Sequence, residues 1–497
     1  MIDNLILGFG QSLTAINLIY CVFGAIFGTI VGVIPGLGPT AAVALLLPYA
    51  FAVQDPTGAL IAMAGIYYGS QYGGSTTAIL LRLPGEVSSA VTTVDGYALA
   101  KQGYAGAALT VAALGSFVGG CFATFVIAAL SPEMIKIALL FTPKEYLALM
   151  FFGVICACVM TATSLLKNLM MVIFGILLCT IGTDPNTGQV RNIFGLWDLS
   201  AGIPFISVCM GLYGIGELLH VLFNPASKSP LIKQVEMFSS KNWSKIKEGF
   251  GAICRGTVVG SILGLIPGGG SILSAFMSYV VEKKVAKDKS KFGHGDIRGI
   301  AGPESANNAG VQTAFIPMLS LGLPFNPVMA LLMAVMLTHN IIPGPAVINN
   351  HPELFWGLVT SMWLGNLVLI LLNLTTVKLM IKILKVPTWI IFVVVTCSCL
   401  YGSYIIRNNM FDILVLILFG FIGYFFKCAR IDPAPVLLGL LLGPKLEESL
   451  RQTLQLEHGN VLSLFNSPMA IIFYISSILV ILTLGFKKKT YKIVRSQ

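Results

Sequence analysis

Residues 24–38 read GAIFGTIVGVIPGLG, and residues 256–270 read GTVVGSILGLIPGGG, the same block met again 232 positions later. Gly24, Gly28, Gly32 and Gly36 align with Gly256, Gly260, Gly264 and Gly268, while Pro35 aligns with Pro267 and Gly38 with Gly270. Each copy reads as an apolar helix carrying a small residue at every fourth position, a spacing that lets another helix approach closely. Each is then cut by Pro-Gly-x-Gly, where proline removes a backbone donor and glycine frees the backbone. Apolar segments broken by Gly and Pro at matching places in two halves of a membrane chain mark the solute site of a transporter.

Composition around the block supports a membrane setting. The 497 residues are 56% hydrophobic and 10% charged, whereas soluble domains carry roughly 25% charged residues. Apolar runs long enough to cross hydrocarbon recur near 13–34, 57–81, 105–130, 145–163, 167–183, 202–223, 252–281, 310–349 (two segments), 354–385, 388–406, 409–427 and 468–486. The expectation is an all-α polytopic membrane protein with about 10–13 transmembrane or re-entrant helices, several runs being too long or broken for one straight helix. MIDNLILGFGQSL at the start lacks a basic n-region and a small-residue cleavage site, so the first helix is expected to remain and serve as the insertion signal.

Net charge is +10, and its placement is informative. Segment 225–255 carries Lys228, Lys233, Lys241, Lys245, Lys247 and Arg255; segment 282–298 carries Lys283, Lys284, Lys287, Lys289, Lys291 and Arg298; the tail carries Lys487, Lys488, Lys489, Lys492 and Arg495. Positive-inside bias places all three in the cytoplasm, the C-terminus included. Juxtamembrane lysine is the ordinary topology signal, which argues against nucleic-acid binding. A stretch flanked on both sides by cytoplasmic loops cannot be a single crossing, so the second block is expected to enter as a helical hairpin, break at Pro267-Gly268-Gly269-Gly270 and return. The first block is followed by 82–103, whose Arg82, Glu86, Asp95 and Lys101 balance. That difference suggests two inverted-topology repeats whose broken helical hairpins meet near the midplane. The chain divides into a first transmembrane repeat (1–224), a basic cytoplasmic linker (225–250), a second repeat (251–454), and a terminal helix with a basic tail (455–497).

The ten cysteines include no CxxC pair, the five histidines no metal spacing, and the chain no GxxxxGK[ST] loop. Gly36-x-Gly38 in its apolar context is a weak mimic of a phosphate loop. No Asp pair, HExxH or Ser–His–Asp set sits at membrane depth, so an enzyme is not expected. A helix that stops inside the bilayer leaves N–H or C=O groups without partners; N-termini suit carboxylates and C-terminal carbonyls suit Na+. The candidate substrate-binding positions are therefore the tips, Gly36, Gly38, Pro39 and Thr40 with Gly268, Gly269, Gly270 and Ser271. The glycines further up each helix are assigned to packing. Two polar islands stand beside the tips: Tyr72-Gly73-Gly74-Ser75-Thr76-Thr77 before Leu83-Pro84-Gly85, and Pro303-Glu304-Ser305-Ala306-Asn307-Asn308 before Gly322-Leu323-Pro324. They read as a second repeated pair. Ser75, Thr76 and Thr77 are further substrate candidates, and Glu304, Asn307 and Asn308 are candidate cation ligands. The bland alternatives are hydroxyls bonded back to their own helix and Glu304 as a helix cap.

At these residues the sequence resembles the large permease subunit, of the TctA type, of tripartite tricarboxylate transporters. The matching stretches are GVIPGLGPTAAVALLLPYAF (32–51), YGGSTTAILLRLPGE (72–86), DGYALAKQG (95–103), GTDPNTGQVR (182–191), GLIPGGGSILSAFMSYVVEKK (264–284), GPESANNAG (302–310), PGPAV (343–347) and DPAPVLLGLLLGPKLEESLRQTL (432–454). The resemblance implies a secondary active transporter of the bacterial cytoplasmic (inner) membrane that imports citrate-like di- or tricarboxylates. It also implies symport with Na+ or H+, no other cofactor, an elevator-like movement, a small four-helix membrane subunit, and a periplasmic solute-binding protein. The alternative is a passive channel or a permease for another small organic anion. Arg82 and Leu323-Pro324-Phe325-Asn326 depart from the family pattern; Arg82 could clamp a carboxylate or anchor a helix end, and Phe325 would narrow any pocket it faced.

Overall fold

The structure, a computed structural model, describes residues 2–485 apart from 161–162, 225–229, 233–234, 238 and 269. The first half forms α1 (Ile2–Ser12), α2 (Ala15–Val33), α3 (Gly38–Ala52), α4 (Pro56–Leu81), α5 (Thr92–Leu99), α6 (Ala105–Ala138), α7 (Pro143–Met160), α8 (Leu165–Cys179), α9 (Phe205–Cys209) and α10 (Gly216–Phe223). The second forms α11 (Ser240–Gly264), α12 (Gly270–Val285), α13 (Arg298–Thr313), α14 (Phe315–Leu321), α15 (Pro327–Thr338), α16 (Val347–Asn350), α17 (Pro352–Thr375), α18 (Val377–Ile383), α19 (Thr388–Arg407), α20 (Met410–Cys428), α21 (Ala434–Leu456) and α22 (Pro468–Val480). A two-stranded hairpin, β1 (Gly182–Thr183) against β2 (Val190–Arg191), follows α8. The fold is that of an all-α polytopic membrane protein.

Both repeated blocks break where proline and glycine require it. α2 gives way to α3 across 34–37, and α11 to α12 across 265–269. The turns use Gly36 at φ +90° and Gly268 at φ +72°, conformations that a side chain disfavours. The third helix of each half then buries the broken pair: α4 packs on α2 and α3, and α13 on α11 and α12. The glycine stripe lies at this seam. A methyl group at Gly24, Gly28 or Gly32 would overlap the carbonyls of Ala62, Ile66 and Ser70; one at Gly256, Gly260 or Gly264 would overlap those of Gly302, Ala306 and Gly310. The two halves thus repeat a packing arrangement as well as a sequence.

The repeat extends through the next turn. α4 stops at Arg82 in the left-handed region (φ 58°), and α14 stops at Gly322 (φ 67°), with Leu83-Pro84 and Leu323-Pro324 following. Asp55 starts α4 by accepting from the N–H groups of Thr57 and Gly58 at 3.1 and 2.9 Å, and Asn326 starts α15 by accepting from Met329 N–H at 2.9 Å. Run 310–349, expected as two segments, holds the end of α13, α14, α15 and α16, with its break at 322–326.

Between the halves, partners are exchanged. α1 packs along α17, and the start of α11 packs along α6. α6 in turn lies on α13, where Gly119 faces the Ser305 carbonyl, and α17 lies on α4, where Gly365 faces the Tyr68 ring. Outside this centre α8 crosses α21 with Gly175 against Val436 and Gly439 against Val172, and the helical stretch 210–216 crosses α20 with Gly211 against Leu416 and Gly423 against Leu212.

Among the described residues six helices are long and apolar enough to cross a membrane: Ala15–Val33, Thr92–Ala138, Phe205–Phe223, Pro352–Thr375, Thr388–Arg407 and Met410–Cys428. Four shorter apolar helices add to them. The expected 10–13 segments count α4 as well, while α13 falls mainly between the expected runs 252–281 and 310–349. Those two are buried along their whole length from Thr57 to Leu81 and from Gly299 to Thr313, so their composition answers to protein neighbours and they carry polar side chains freely.

Candidate functional site

The first tip is short of caps. Ile34 turns away from α2 in an extended conformation, and no side chain caps the start of α3, where Pro39 occupies the first turn. Thr77 donates its hydroxyl to the Val33 carbonyl at 2.7 Å, relieving one of the orphan acceptors at the end of α2. Thr40 is half-buried and its hydroxyl has no hydrogen-bond partner among the described residues. The second tip starts α12 at Gly270, with Ser271 half-buried beside it; Gly269 lies outside the described residues, as do Lys228, Lys233 and the basic tail from 486. The tips are seated on different helices, Gly36 beside Val221 of α10 and Gly268 beside Cys156 and Ala157 of α7.

Polar side chains converge where α4, the 82–91 loop, α5 and α13 come together. Glu304, 1% exposed, accepts from Ser75 Oγ at 2.5 Å and from Thr92 Oγ1. Glu86, 8% exposed, accepts from Asn307 Nδ2 at 2.9 Å and from Ser88 Oγ. Asn308 Nδ2 donates to Ser116 Oγ of α6 at 2.7 Å. Thr76 turns aside, its hydroxyl 3.7 Å from the Met380 sulfur. Close backbone approach fixes the loop: Gly85 lies against Gly74 and the Gly32 carbonyl, and its own carbonyl faces Gly38 of the first tip. The second tip is tied in through Gly270 and Ser274, which lie against Gly310 of α13. The structure therefore brings Ser75, Glu304, Asn307 and Asn308 together, and seats the two tips on separate elements.

Two electrostatic features stand out in this cluster. Among the described residues neither Glu86 nor Glu304 forms an ion pair. Among the described residues several fully buried amide atoms of α4 and α13 also have no hydrogen-bond partner: Asn307 Oδ1, Asn308 Oδ1, both ends of Gln71, and Gln312 Nε2. Uncompensated buried polar atoms are costly, and each one in a native fold calls for a reason such as a bound water or ion. A cavity of about 10 Å³ beside Ser75, Thr76 and Ser116 has room for a single water-sized particle. Among the described residues no three His, Cys, Asp or Glu side chains gather as a transition-metal site would require.

Glu86, Ser88, Thr92 and Ser116 escaped the sequence reading. Glu86 and Asp95 were counted there as loop charges, yet both are buried. Asp95 accepts from the N–H groups of Gly293, Gly295 and Asp296 at 2.8, 2.9 and 3.0 Å and from Tyr279 at 2.9 Å, strapping α5 to the approach of α13. The electrical balance of 82–103 is thus no surface property, and it carries no topology signal. The only hint at Glu86 was its place directly after Leu83-Pro84-Gly85, the mirror of Leu323-Pro324-Phe325. Arg82 is exposed and forms no ion pair among the described residues, as a helix-end anchor would. Phe325 packs its ring on Gly153 of α7 within an apolar cluster.

Comparison with known proteins adds the family. The sequence pattern described as "Tripartite tricarboxylate transporter TctA family" matches residues 18–438. An "uncharacterized 52.8 kDa protein in TAR-I ttuC' 3'region" of Agrobacterium vitis is 44% identical over 472 residues, covering 95% of this chain and 93% of that one. An "uncharacterized protein in TAR-II ttuC' 3'region" of the same organism is 47% identical over 211 residues, 42% of this chain and 87% of that one. No solved structure matches. With the match running through both broken hairpins and the polar centre between them, the chain belongs to the TctA family of tripartite tricarboxylate transporters.

Proposed function

We propose that this permease is a secondary active transporter that imports citrate-like di- or tricarboxylates across the bacterial cytoplasmic membrane. Symport with Na+ or H+ drives it, a periplasmic binding protein delivers the solute, and a small four-helix membrane subunit completes the assembly. The carrying observation is the pair of buried carboxylates, Glu86 and Glu304, without a basic partner and surrounded by unfilled amide atoms. Such groups raise the energy of the ion-free state, and a cation or proton taken up with the solute relieves it. The cation is taken up in the polar centre that holds Glu304, Asn307 and Asn308, with Glu86 against Asn307. The solute is held at the tips, where the uncapped start of α3 with Thr40 and the start of α12 with Ser271 offer N–H groups and hydroxyls to carboxylates. Ser75 serves Glu304 in this arrangement. The halves are related by inversion across the membrane, the arrangement that paired broken hairpins commonly take in secondary transporters.

A passive anion channel fits less well, because two carboxylates at its centre would repel the permeant ion. The test is uptake of labelled citrate into proteoliposomes holding the permease, the small subunit and the binding protein, with imposed Na+ or pH gradients. Accumulation above equilibrium under one gradient is expected. Equilibration at the same rate with no gradient would establish the channel instead.

A further inference from the structure

The geometry points to Glu86, rather than Glu304, as the carboxylate that holds the coupling cation, with Asn307 as its companion and Na+ as the ion; the inference rests on the ion-coupled reading above. Each Glu304 oxygen already accepts one hydroxyl, Oε2 from Ser75 and Oε1 from Thr92. Glu86 is asymmetric. Its Oε1 accepts from both Asn307 Nδ2 and Ser88 Oγ, while Oε2 has no hydrogen-bond partner among the described residues. Asn307, 1% exposed, spends its amide nitrogen on Glu86 and leaves Oδ1 buried without a partner. The site therefore offers a carboxylate oxygen and an amide oxygen, both acceptors, with no donor among the described residues to fill them.

Hard cations take that pairing of carboxylate and amide oxygens. A proton on Glu86 would supply a single donor, whereas Na+ gathers several oxygen ligands at once, and the carboxylate oxygen, the amide oxygen and water can all be among them. The residue is also held for the purpose. Glu86 N–H donates to Ser89 Oγ at 3.3 Å, the Ser89 hydroxyl donates back to the Glu86 carbonyl at 2.9 Å, and Gly85 is pinned against Gly74. Glu86 keeps 8% of its surface open, so an ion can enter with part of its water shell. Glu86 comes from the first half and Asn307 from the second, 221 positions apart. Na+ held between them joins the halves and biases whichever arrangement brings them together.

The experiment is thermal unfolding of the purified full-length permease in detergent, with NaCl titrated against choline chloride at fixed ionic strength. The wild type is expected to gain stability along a saturable Na+ curve. Glu86→Gln is expected to abolish the response or weaken its midpoint by about tenfold or more, since it removes the ligand's charge. Glu86→Asp, which keeps the charge but withdraws it by one methylene, is expected to respond with a weaker midpoint, and it decides the matter if Glu86→Gln does not fold. A wild type indifferent to Na+, or either variant with a wild-type midpoint, overturns the proposal. Na+-driven uptake alongside an unshifted Glu86→Gln titration would sink this site and spare ion coupling. A Na+ response through Glu86 with uptake indifferent to Na+ gradients would sink coupling and spare the site.

Discussion

Asn307 and Asn308 are adjacent on α13 and face different partners: Asn307 reaches the Glu86 loop, and Asn308 reaches Ser116 on α6. Replacing both by alanine strips two donors from buried acceptors, a loss of a few kcal/mol at most. The double variant is expected to fold and to lose at least about tenfold in ion-dependent uptake, equivalent to 1.4 kcal/mol. Wild-type uptake by a folded double variant would remove these residues from the ion path. Arg82 offers a residue-scale test of a different kind. Its left-handed backbone costs about 1 kcal/mol that glycine would not. Arg82→Gly should raise the unfolding midpoint and leave uptake unchanged, whereas a fall in uptake would reveal the guanidinium as a carboxylate clamp.

At the scale of elements, the glycine seam tolerates little. Gly260→Val would press a side chain into the Ala306 carbonyl and should cost roughly 1–3 kcal/mol or more, because backbone cannot yield as a side chain can. Gly10→Ala, inside α1 with open space around it, should hold or slightly raise the midpoint; both are read by thermal unfolding. The hairpin of β1 and β2 is fastened to α21 by a charged network outside the apolar spans. Arg451 pairs with Asp184 at 2.9 Å and with Glu447 at 2.5 Å, and Arg191 pairs with Glu447 at 2.8 Å. The Asn186 N–H and the Arg451 guanidinium hold the Asp184 carboxyl down to about 2, below its ordinary 3.8. A depressed value stabilises the folded state above the ordinary one and loses that effect as pH falls through the folded one. Asp184→Asn should therefore lower the unfolding midpoint at neutral pH, and the gap from wild type should close on acidification from pH 4 toward 2. A gap that persists at pH 2 would count against the network. The broken helices and their glycine seams were legible because they depend on local residues, proline and small side chains at fixed spacing. Glu86 and Thr92 were not, because what makes them matter is a partner some 200 positions away on α13, and a loop glutamate looks alike whether it faces solvent or Asn307.

For the whole molecule, the exchange of helices means that neither half buries all of its own surfaces. The fragment 1–224 lacks α17 for α1 and α13 for α6, and it should fail to give a monodisperse species by gel filtration. Co-expressed with the remainder, it should be recovered as a complex. A stable, well-behaved first half on its own would contradict the reciprocal packing. The polar centre itself exists only when both halves are present, since Glu86 and Ser75 meet Asn307 and Glu304 across that exchange. The pairing of Gly8 with the Trp356 carbonyl also sets a clock. At about 5–20 residues per second, a ribosome delivers Trp356 roughly 20–70 s after Gly8. For that interval α1 sits at the membrane with its final neighbour not yet made, so α1 needs temporary shelter from lipid or an insertase, and slow codons upstream of α17 would lengthen its exposure to membrane proteases.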